Sequence, residues 1–363
     1  MTRKTIQSNE DLFTLVTSII INDLGKAPSL ATDYAELTGR DISRVNHDMI
    51  LYQVVHHPAV VEELIPSLSK LSPRHKSDLL LGIKLGAEIN FGQLAQAENV
   101  PACLLGLEAD LKDHPRAFEM RFMEQLLDIA GAAGHLDHTC VKKLIEPIFD
   151  GYKNVYDVAS GIINGGLGLR EGYDIILIRR VELLERAGWK RAESLNIRDK
   201  DNRALMRLLC IGSAANIETA DLYHNTFTGM SLPKSAYKGL VQGLNVDGSL
   251  EQPAVQPTYL PAMCAIAIGN TAHGTTQEKM KALSAVLIYL ARVLVVEKTS
   301  SSFRRLPKGV TVIERDLRKA VKPILESDAF KHNPDILDEA PVPSDEIAKM
   351  AEGYAWVFPV LTA

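Results

Sequence analysis

Apolar residues recur every three to four positions along most of the chain, as in Leu12, Leu15, Val16 and Ile19. This spacing places them on one face of a helix. The alternation of apolar and polar residues that is typical of strands is scarce, so the pattern predicts an all-α fold. The predicted helices cover residues 9–24, 43–57, 59–70, 73–97, 116–132, 138–162, 168–188, 203–213, 216–229, 257–271, 276–297, 311–326 and 345–354.

Prolines and glycines separate these helices, as at Gly25, Pro58 and Pro73. Two segments have the composition of mobile loops. Residues 245–256 are rich in glycine, proline and polar side chains, and residues 299–309 combine serines with basic side chains. Neither resembles a long interdomain linker, so we expect a single large helical bundle domain over residues 1–363.

The composition indicates a globular protein, because 46% of the residues are hydrophobic and 23% are charged. A formal net charge of -5 gives no general attraction to nucleic acid. No apolar run is long enough for a membrane span and no signal peptide is visible, so we expect a cytoplasmic protein without stable membrane insertion. The cysteines lie far apart in the sequence and are expected to be reduced core residues: Cys103, Cys140, Cys210 and Cys264.

Two polar clusters interrupt apolar helical stretches near the start of the chain. Asn22 and Asp23 close the first predicted helix, and Asn46 and Asp48 open the next one. If these helices are antiparallel neighbours, all four side chains lie at the same end of the bundle. Their oxygens suit Mg²⁺, which commonly bridges to substrate phosphates. Helix capping is an equally open interpretation of the same residues.

Several basic and histidine side chains extend this hypothesis. Lys26, Arg304 and Arg305 supply cations that suit phosphate oxygens. His47, His135 and His138 lie near aspartates, and whether they bind a metal stays open.

Two further segments are candidates for a pocket wall or for ordinary structure. The segment 259–270 combines small and bulky apolar groups, and Met263 and Asn270 are its candidate pocket residues for a flexible hydrocarbon. A buried core helix is the alternative for this segment. Between residues 88 and 98, amides and carboxylates alternate with apolar groups, and Gln96 and Glu98 fit a solvated helix face.

The first of these regions resembles a known signature. Ile20-Ile21-Asn22-Asp23-Leu24-Gly25-Lys26 is similar to the Leu-Leu-His-Asp-Ile-Gly-Lys motif of the HD superfamily of metal-dependent phosphohydrolases and oxygenases. His47 resembles a downstream metal histidine of that superfamily. Asn22 stands where the superfamily has a histidine ligand.

A second resemblance covers more of the chain and is to the non-canonical fungal α-humulene synthases, which are all-helical class I terpene cyclases. The segments that carry it are Asn22 to Lys26, Asn46-His47-Asp48, Asn90-Phe91-Gly92-Gln93-Leu94-Ala95-Gln96-Ala97-Glu98 and Leu126 to His135. The chain has no Asp-Asp-x-x-Asp motif.

This second resemblance implies a magnesium-dependent enzyme of secondary metabolism. Such an enzyme ionises a prenyl diphosphate, here farnesyl diphosphate, and cyclises it to a sesquiterpene such as humulene. Asp23 and Asp48 would be catalytic metal ligands, with Asn22 and Asn46 as further ligands. Lys26, Arg304 and Arg305 would bind the diphosphate.

Alternatives from other functional classes remain open. One is an HD-like metal-dependent phosphohydrolase, and the other is a non-enzymatic helical interaction protein in which the polar groups are caps. The sequence leaves open the length of the prenyl chain, the product and its stereochemistry, and whether the protein is a monomer or a homodimer.

Overall fold

A computed structural model describes residues 5–43, 47–109, 111–131, 144–230, 232–271, 274–296, 309–345, 347–350 and 353–356. Helices dominate these ranges, which confirms the all-α fold class. The chain divides into two compact units: unit 1 is Met1–Gly92 with Gly106–Gly166, and unit 2 is Gln93–Leu105 with Leu167–Ala363. The expectation of a single domain stays a prediction. Within the described ranges, no helix has both the length and the apolar character needed to cross a bilayer.

Unit 1 is helical throughout its described part. Its helices are α1 (Asn9–Ile21), α2 (Pro28–Thr38), α3 (His47–His56), α4 (Pro58–Leu64), α5 (Pro73–Glu88), α7 (Gly106–Ala109), α8 (Pro115–Gly131) and α9 (Glu146–Ile163), with 3₁₀ turns at Leu24–Lys26 and Pro66–Lys70. The short helix α6 (Phe91–Ala95) contains the residues where unit 1 gives way to unit 2 along the chain. Prolines at their first helical position start α2, α4 and α5, where a missing N–H costs nothing.

Local sequence also fixes the start of α1. Ser8 accepts from the backbone N–H of Asp11, and the Asp11 carboxylate accepts from the backbone N–H of Ser8, so the pair forms a capping box. The core of unit 1 is a continuous aliphatic cluster from α1 to α5 that includes Val54, Val60 and Leu68.

Unit 2 is organised around one long helix that is buried over most of its C-terminal part, from Ala282 to Val293. Its helices are α10 (Leu169–Arg186), α11 (Lys200–Ile211), α12 (Ile217–Thr228), α13 (Lys234–Leu244), α14 (Leu260–Asn270), α15 (Thr276–Val293), α16 (Leu317–Leu325) and α17 (Asp328–His332), with 3₁₀ turns at Pro101–Leu105, Lys190–Ser194 and Pro334–Glu339. Helix α15 packs against α12, α13 and α14. Thr275 and Glu278 form the capping box that starts it.

A small sheet is the feature of unit 2 that the sequence pattern missed. Its strands are β1 (Ala254–Thr258), β2 (Val310–Asp316), β3 (Ile347–Met350) and β4 (Gly353–Trp356), in that order. Strand β2 pairs with β1 in parallel and with β3 antiparallel, and β3 pairs antiparallel with β4.

The sheet corrects two of the predicted helices. Residues 311–316 belong to β2 and residues 347–350 and 353–356 are strands, so a helix over 345–354 and the first turns of a helix over 311–326 are wrong. Val310–Asp316 is rich in β-branched side chains, which favour a strand, and this strand pairs on both edges. The helix α16 begins only after Asp316, which caps it. Of the expected loops, 245–256 ends inside β1, and residues 299–308 lie outside the described ranges.

Candidate functional site

The two polar clusters predicted from the sequence lie next to each other in unit 1. The 3₁₀ turn Leu24–Lys26 packs against the first turn of α3. A Cβ on Gly25 would lie 1.8 Å from the backbone oxygen of His47, so a side chain at residue 25 would force the two segments apart. This close approach places Asp23 and Asp48 in neighbouring segments, and an antiparallel pairing of α1 and α3 stays a prediction.

The side chains of the first cluster are exposed and partly paired. Asp23 precedes the 3₁₀ turn but makes no side-chain cap hydrogen bond, and its carboxylate lies 2.6 Å from Lys26 Nζ. Asn22 ends α1, where its backbone N–H donates to the carbonyl of Ser18. The Asp23 side chain therefore does not cap the 3₁₀ turn. It forms an ion pair with Lys26 instead.

The second cluster is linked to a buried guanidinium on α8. Asp48 lies 3.6 Å from His47 Nε2, and both side chains are 38% exposed. Burial acts to lower the pKa of Arg121, but the negative charges of Glu124, Asp48 and Asp128 raise it overall. Arg121 is thus the cation around which three carboxylates of this unit gather.

The position of Arg121 is fixed by close packing. Its Nη1 donates to both oxygens of the buried Glu124 carboxylate at 2.7 Å, and Ser18 Oγ donates to the same carboxylate at 2.9 Å. A Cβ on Gly86 would lie 2.3 Å from the guanidinium carbon, so the flat group fits against α5 only because residue 86 has no side chain. Sequence reasoning did not single out Arg121, Glu124 or Gly86.

An amide network borders the same helix. Gln125 Nε2 donates to Asn90 Oδ1 at 3.2 Å, and that oxygen also accepts from the backbone N–H of Gly92 at 2.9 Å. Burial, followed by the charge of Asp128, raises the pKa of Tyr152. The Asn90-Phe91-Gly92 segment is therefore anchored to α8 of the helical cluster, as its selection from the sequence suggested.

Other predicted site residues lie elsewhere or outside the described ranges. Met263 is buried in unit 2, and Asn270 Nδ2 donates to the carbonyls of Leu325 and Ser327, which close the end of α16. The pocket role of these two residues stays a prediction. Asn46, His135, His138, Arg304 and Arg305 lie outside the described residues. Cys103, Cys210 and Cys264 are buried and unpaired with each other, as predicted.

Unit 2 holds a buried polar site that the sequence reading assigned wrongly. Glu98 is 4% exposed, so the solvated helix face expected for it is wrong. Burial, the largest effect, together with Glu314 and Asp316, raises the pKa of Glu98 to about 8. Its Oε1 accepts from the backbone N–H of Tyr259 at 2.5 Å.

Backbone strain surrounds this carboxyl. Among the described residues, the non-glycine residues with positive φ are Ala97, Ser213 and Tyr259. Ala97 precedes Glu98, Tyr259 binds it, and Ser213 accepts from Gln96 Nε2 at 3.2 Å. Strained residues persist only where neighbouring contacts hold them in place.

Two buried side chains of α10 and α11 hold the strained segment. Arg207 donates to the carbonyls of Ala97, Asn99 and Leu244 at 3.0 to 3.1 Å. The Tyr173 hydroxyl lies 2.9 and 2.8 Å from the Ala97 and Asn99 carbonyls. The sequence carries a signal for this site. Arg207 interrupts the apolar stretch Ala204–Ile211 and lies four residues after Arg203, and arginines are unusual on a buried helix face.

The described side chains that could bind a metal ion are scattered. Among the residues that the structure describes, no three His, Cys, Asp or Glu side chains come close enough together to hold a metal ion. Asp23 and Asp48 are two carboxylates, which is the number that Mg²⁺ typically takes from a protein when substrate phosphates supply other ligands. Magnesium binding at these two residues stays a prediction.

Comparison with known proteins gives a family and no activity. A family model described as a family of unknown function (DUF6829) matches residues 1–337. No curated protein and no solved structure matches the chain.

Proposed function

The chain belongs to the family of unknown function DUF6829, and from the geometry of unit 1 we propose that it is a magnesium-dependent enzyme acting on a prenyl diphosphate. The specific reaction proposed is that of a class I terpene cyclase, which ionises farnesyl diphosphate and closes it to a sesquiterpene such as humulene. The observation that carries the proposal is the close approach of Gly25 to the His47 backbone, which brings Asp23 and Asp48 into adjacent segments. The charge of Asp48 also acts on Arg121.

The chemistry asked of these residues is mainly electrostatic. Magnesium, when bound, would neutralise the charge that develops on the leaving diphosphate. Asp23 and Asp48, with Asn22 and Asn46, would hold it through oxygen atoms. Lys26 Nζ lies 2.6 Å from the Asp23 carboxylate and would exchange that carboxylate for a phosphate oxygen. The diphosphate-binding role of Arg304 and Arg305 stays a prediction from the sequence.

Arg121 contributes by setting the charge of the cluster. Its guanidinium is bound to Glu124 and stands in the field of Asp48 and Asp128. The guanidinium thus places a positive charge near Asp48, which would offset part of the negative charge of the carboxylates that hold the metal.

The test is an assay with farnesyl diphosphate and magnesium, in which the extract is analysed by gas chromatography with mass detection. EDTA and heat-killed protein are the controls, and geranyl and geranylgeranyl diphosphates test the chain length. The proposal expects a magnesium-dependent sesquiterpene hydrocarbon that is lost in Asp48→Asn and kept in Asp150→Asn. Asp150 is an exposed aspartate of α9 in the same unit. Full activity of a folded Asp48→Asn variant would show that the active site does not include Asp48.

A second candidate is an HD-like metal-dependent phosphohydrolase. The observation that favours it is the His47 imidazole, 3.6 Å from Asp48 and beside the Gly25 turn. This alternative expects release of farnesol and free phosphate without a hydrocarbon, stimulation by a transition metal, and loss of turnover in His47→Gln. The cyclase proposal expects that His47→Gln leaves hydrocarbon formation measurable.

A further inference from the structure

Unit 1 contains a cleft of about 580 Å³ whose charged side chains are all basic. The residues that matter for its chemistry are His56, Lys76, Ser77, Leu80, Lys84 and His114. Among the residues that the structure describes, neither an aspartate nor a glutamate lines this cleft. A volume of this size lies within the range of small-molecule sites, roughly 300 to 1,000 Å³.

Helix α5 builds one wall of the cleft through its periodicity. Lys76, Leu80 and Lys84 follow one another at intervals of four residues, which places them on the same face of the helix. The adjacent face carries the buried residues Leu79 and Ile83, and α5 packs against α3 and α8. The lysines are therefore held on a helix that is rigidly seated in the unit.

Asp78 is an acidic side chain of α5 that has its own ion-pair partner. Asp78 is buried, and its carboxylate lies 3.1 Å from Arg116 Nε. Arg116 also binds the buried Asp11, which lies 2.9 Å from His75 Nε2. Asp78 thus has an ion-pair partner, Arg116, that does not line the cleft, and its charge also acts on the cleft residue His114.

The second wall comes from the end of α3. His56 Nδ1 lies 2.9 Å from the carbonyl of Tyr52, and since a carbonyl only accepts, Nδ1 carries the proton of that bond. Burial lowers the pKa of His56, and the positive charge of Lys84 lowers it further. That coupling shows that His56 and Lys84 face a common space.

The cleft is separate from the polar cluster used in the proposed function. His47 and Asp48 begin α3, whereas His56 ends it, and nine residues at 1.5 Å each make about 14 Å along the helix axis. A ligand in the cleft therefore has contacts of its own. The inference does not rest on the proposed function.

We propose that this cleft binds a small phosphorylated metabolite, with Lys76 and Lys84 on the phosphate oxygens. Lysine ammonium groups bind phosphate as point charges, and Ser77 adds a hydroxyl donor at the rim. The Leu80 side chain, half-buried between the two lysines along α5, gives the non-ionic part of the ligand an apolar surface.

The test is calorimetric titration of the full chain with inorganic pyrophosphate in EDTA at fixed ionic strength. Lys76→Gln combined with Lys84→Gln is compared with Lys70→Gln combined with Lys153→Gln, a matched pair of exposed lysines of unit 1. Both double variants lose the same charge, so bulk attraction changes equally. Since a hydrogen bond to a charged group contributes about 1.5 to 3 kcal/mol, the cleft variant is expected to bind at least about tenfold more weakly, and the control pair within about threefold of wild type.

Further variants keep the outcome decisive. Ser77→Asp places a negative charge in the cleft at an exposed position and is expected to abolish binding, while Ser67→Asp, exposed outside the cleft, preserves it. Asp48→Asn is expected to bind pyrophosphate in EDTA as wild type does, which separates this site from the proposed active site. Unchanged binding in the folded cleft variants, or equal loss in both lysine pairs, would overturn the proposal.

Discussion

The backbone N–H of Tyr259 donates to the buried carboxyl of Glu98 at 2.5 Å, joining two segments 161 residues apart in the sequence. Tyr259 itself has φ of +66° and stands immediately before α14. Glu98 therefore replaces the side-chain cap that this helix start lacks, because its oxygen accepts one of the first backbone N–H groups. The bond explains why a carboxyl is tolerated at a position that is 4% exposed.

The stability of the protein is predicted to fall with rising pH because of Glu98. Its pKa is about 8 in the folded state against an ordinary value of 4.5, so the folded state binds the extra proton between these values. The free energy of unfolding should decrease through this window, by up to about 1.4 kcal/mol per pH unit, and level off above it. Glu98→Gln is neutral and keeps an oxygen for the Tyr259 N–H, so it should remove this loss.

The measurement is urea unfolding of wild type and Glu98→Gln between about pH 5 and pH 8.5, a range that spans the titration. The variant should gain stability relative to wild type as the pH rises. Glu251→Gln, at an exposed position of the same unit, is the matched control and should follow the wild-type profile. Parallel profiles for wild type and Glu98→Gln would contradict the assignment.

Gly25→Ala is predicted to destabilise unit 1. The added Cβ would lie 1.8 Å from the His47 oxygen, so the turn and α3 must separate, at a cost of about 1 to 3 kcal/mol. Gly131→Ala, where a Cβ meets no atom within 4 Å, should change stability by less than about 0.5 kcal/mol. Chemical denaturation of both variants checks this, and an unchanged midpoint for Gly25→Ala would show that the contact yields without cost.

Arg207→Lys is predicted to be costly although it preserves the charge. Lysine has no planar fork, and it cannot serve the carbonyls of Ala97, Asn99 and Leu244 at once. Leaving buried carbonyls unpaired should lower the free energy of unfolding by about 3 kcal/mol.

Arg198→Lys provides the comparison for this substitution. Arg198 is exposed in the same unit, and the change there should shift stability by less than about 0.5 kcal/mol. Equal unfolding midpoints for the two variants would show that the arginine fork does not hold the strained segment. Thermal and urea unfolding followed by circular dichroism measure both.

The sequence pattern predicts the helices well where burial follows the helical period and fails where tertiary contacts decide. Strand β2 lies where the pattern predicts the start of a helix, and periodicity alone cannot distinguish a short buried strand from a buried helix segment. Its pairing with β1 and β3 is non-local and leaves no spacing signal.

The same limit applies to the candidate sites. Asp23 and Asp48 could be selected because they are close in sequence and polar within apolar stretches. Arg121 and Glu124 could not, since an arginine three residues before a glutamate is also the ordinary pattern of an exposed helix. The solvated position predicted for Glu98 fails for a related reason. The groups that surround Glu98 come from the start of α14 and from β2, which follow much later in the chain.

Glu124→Gln is predicted to destabilise unit 1, and the loss should depend on Arg121. The change leaves a buried guanidinium without its charged partner, which typically costs about 3 to 5 kcal/mol, whereas Glu62→Gln, at an exposed position of α4, should change little. Combining Glu124→Gln with Arg121→Met removes both buried charges, so the double variant should lose less stability than the sum of the single changes. Urea unfolding of the four proteins gives the coupling energy directly. Simple additivity of the two losses would show that the Arg121 and Glu124 side chains contribute to stability independently.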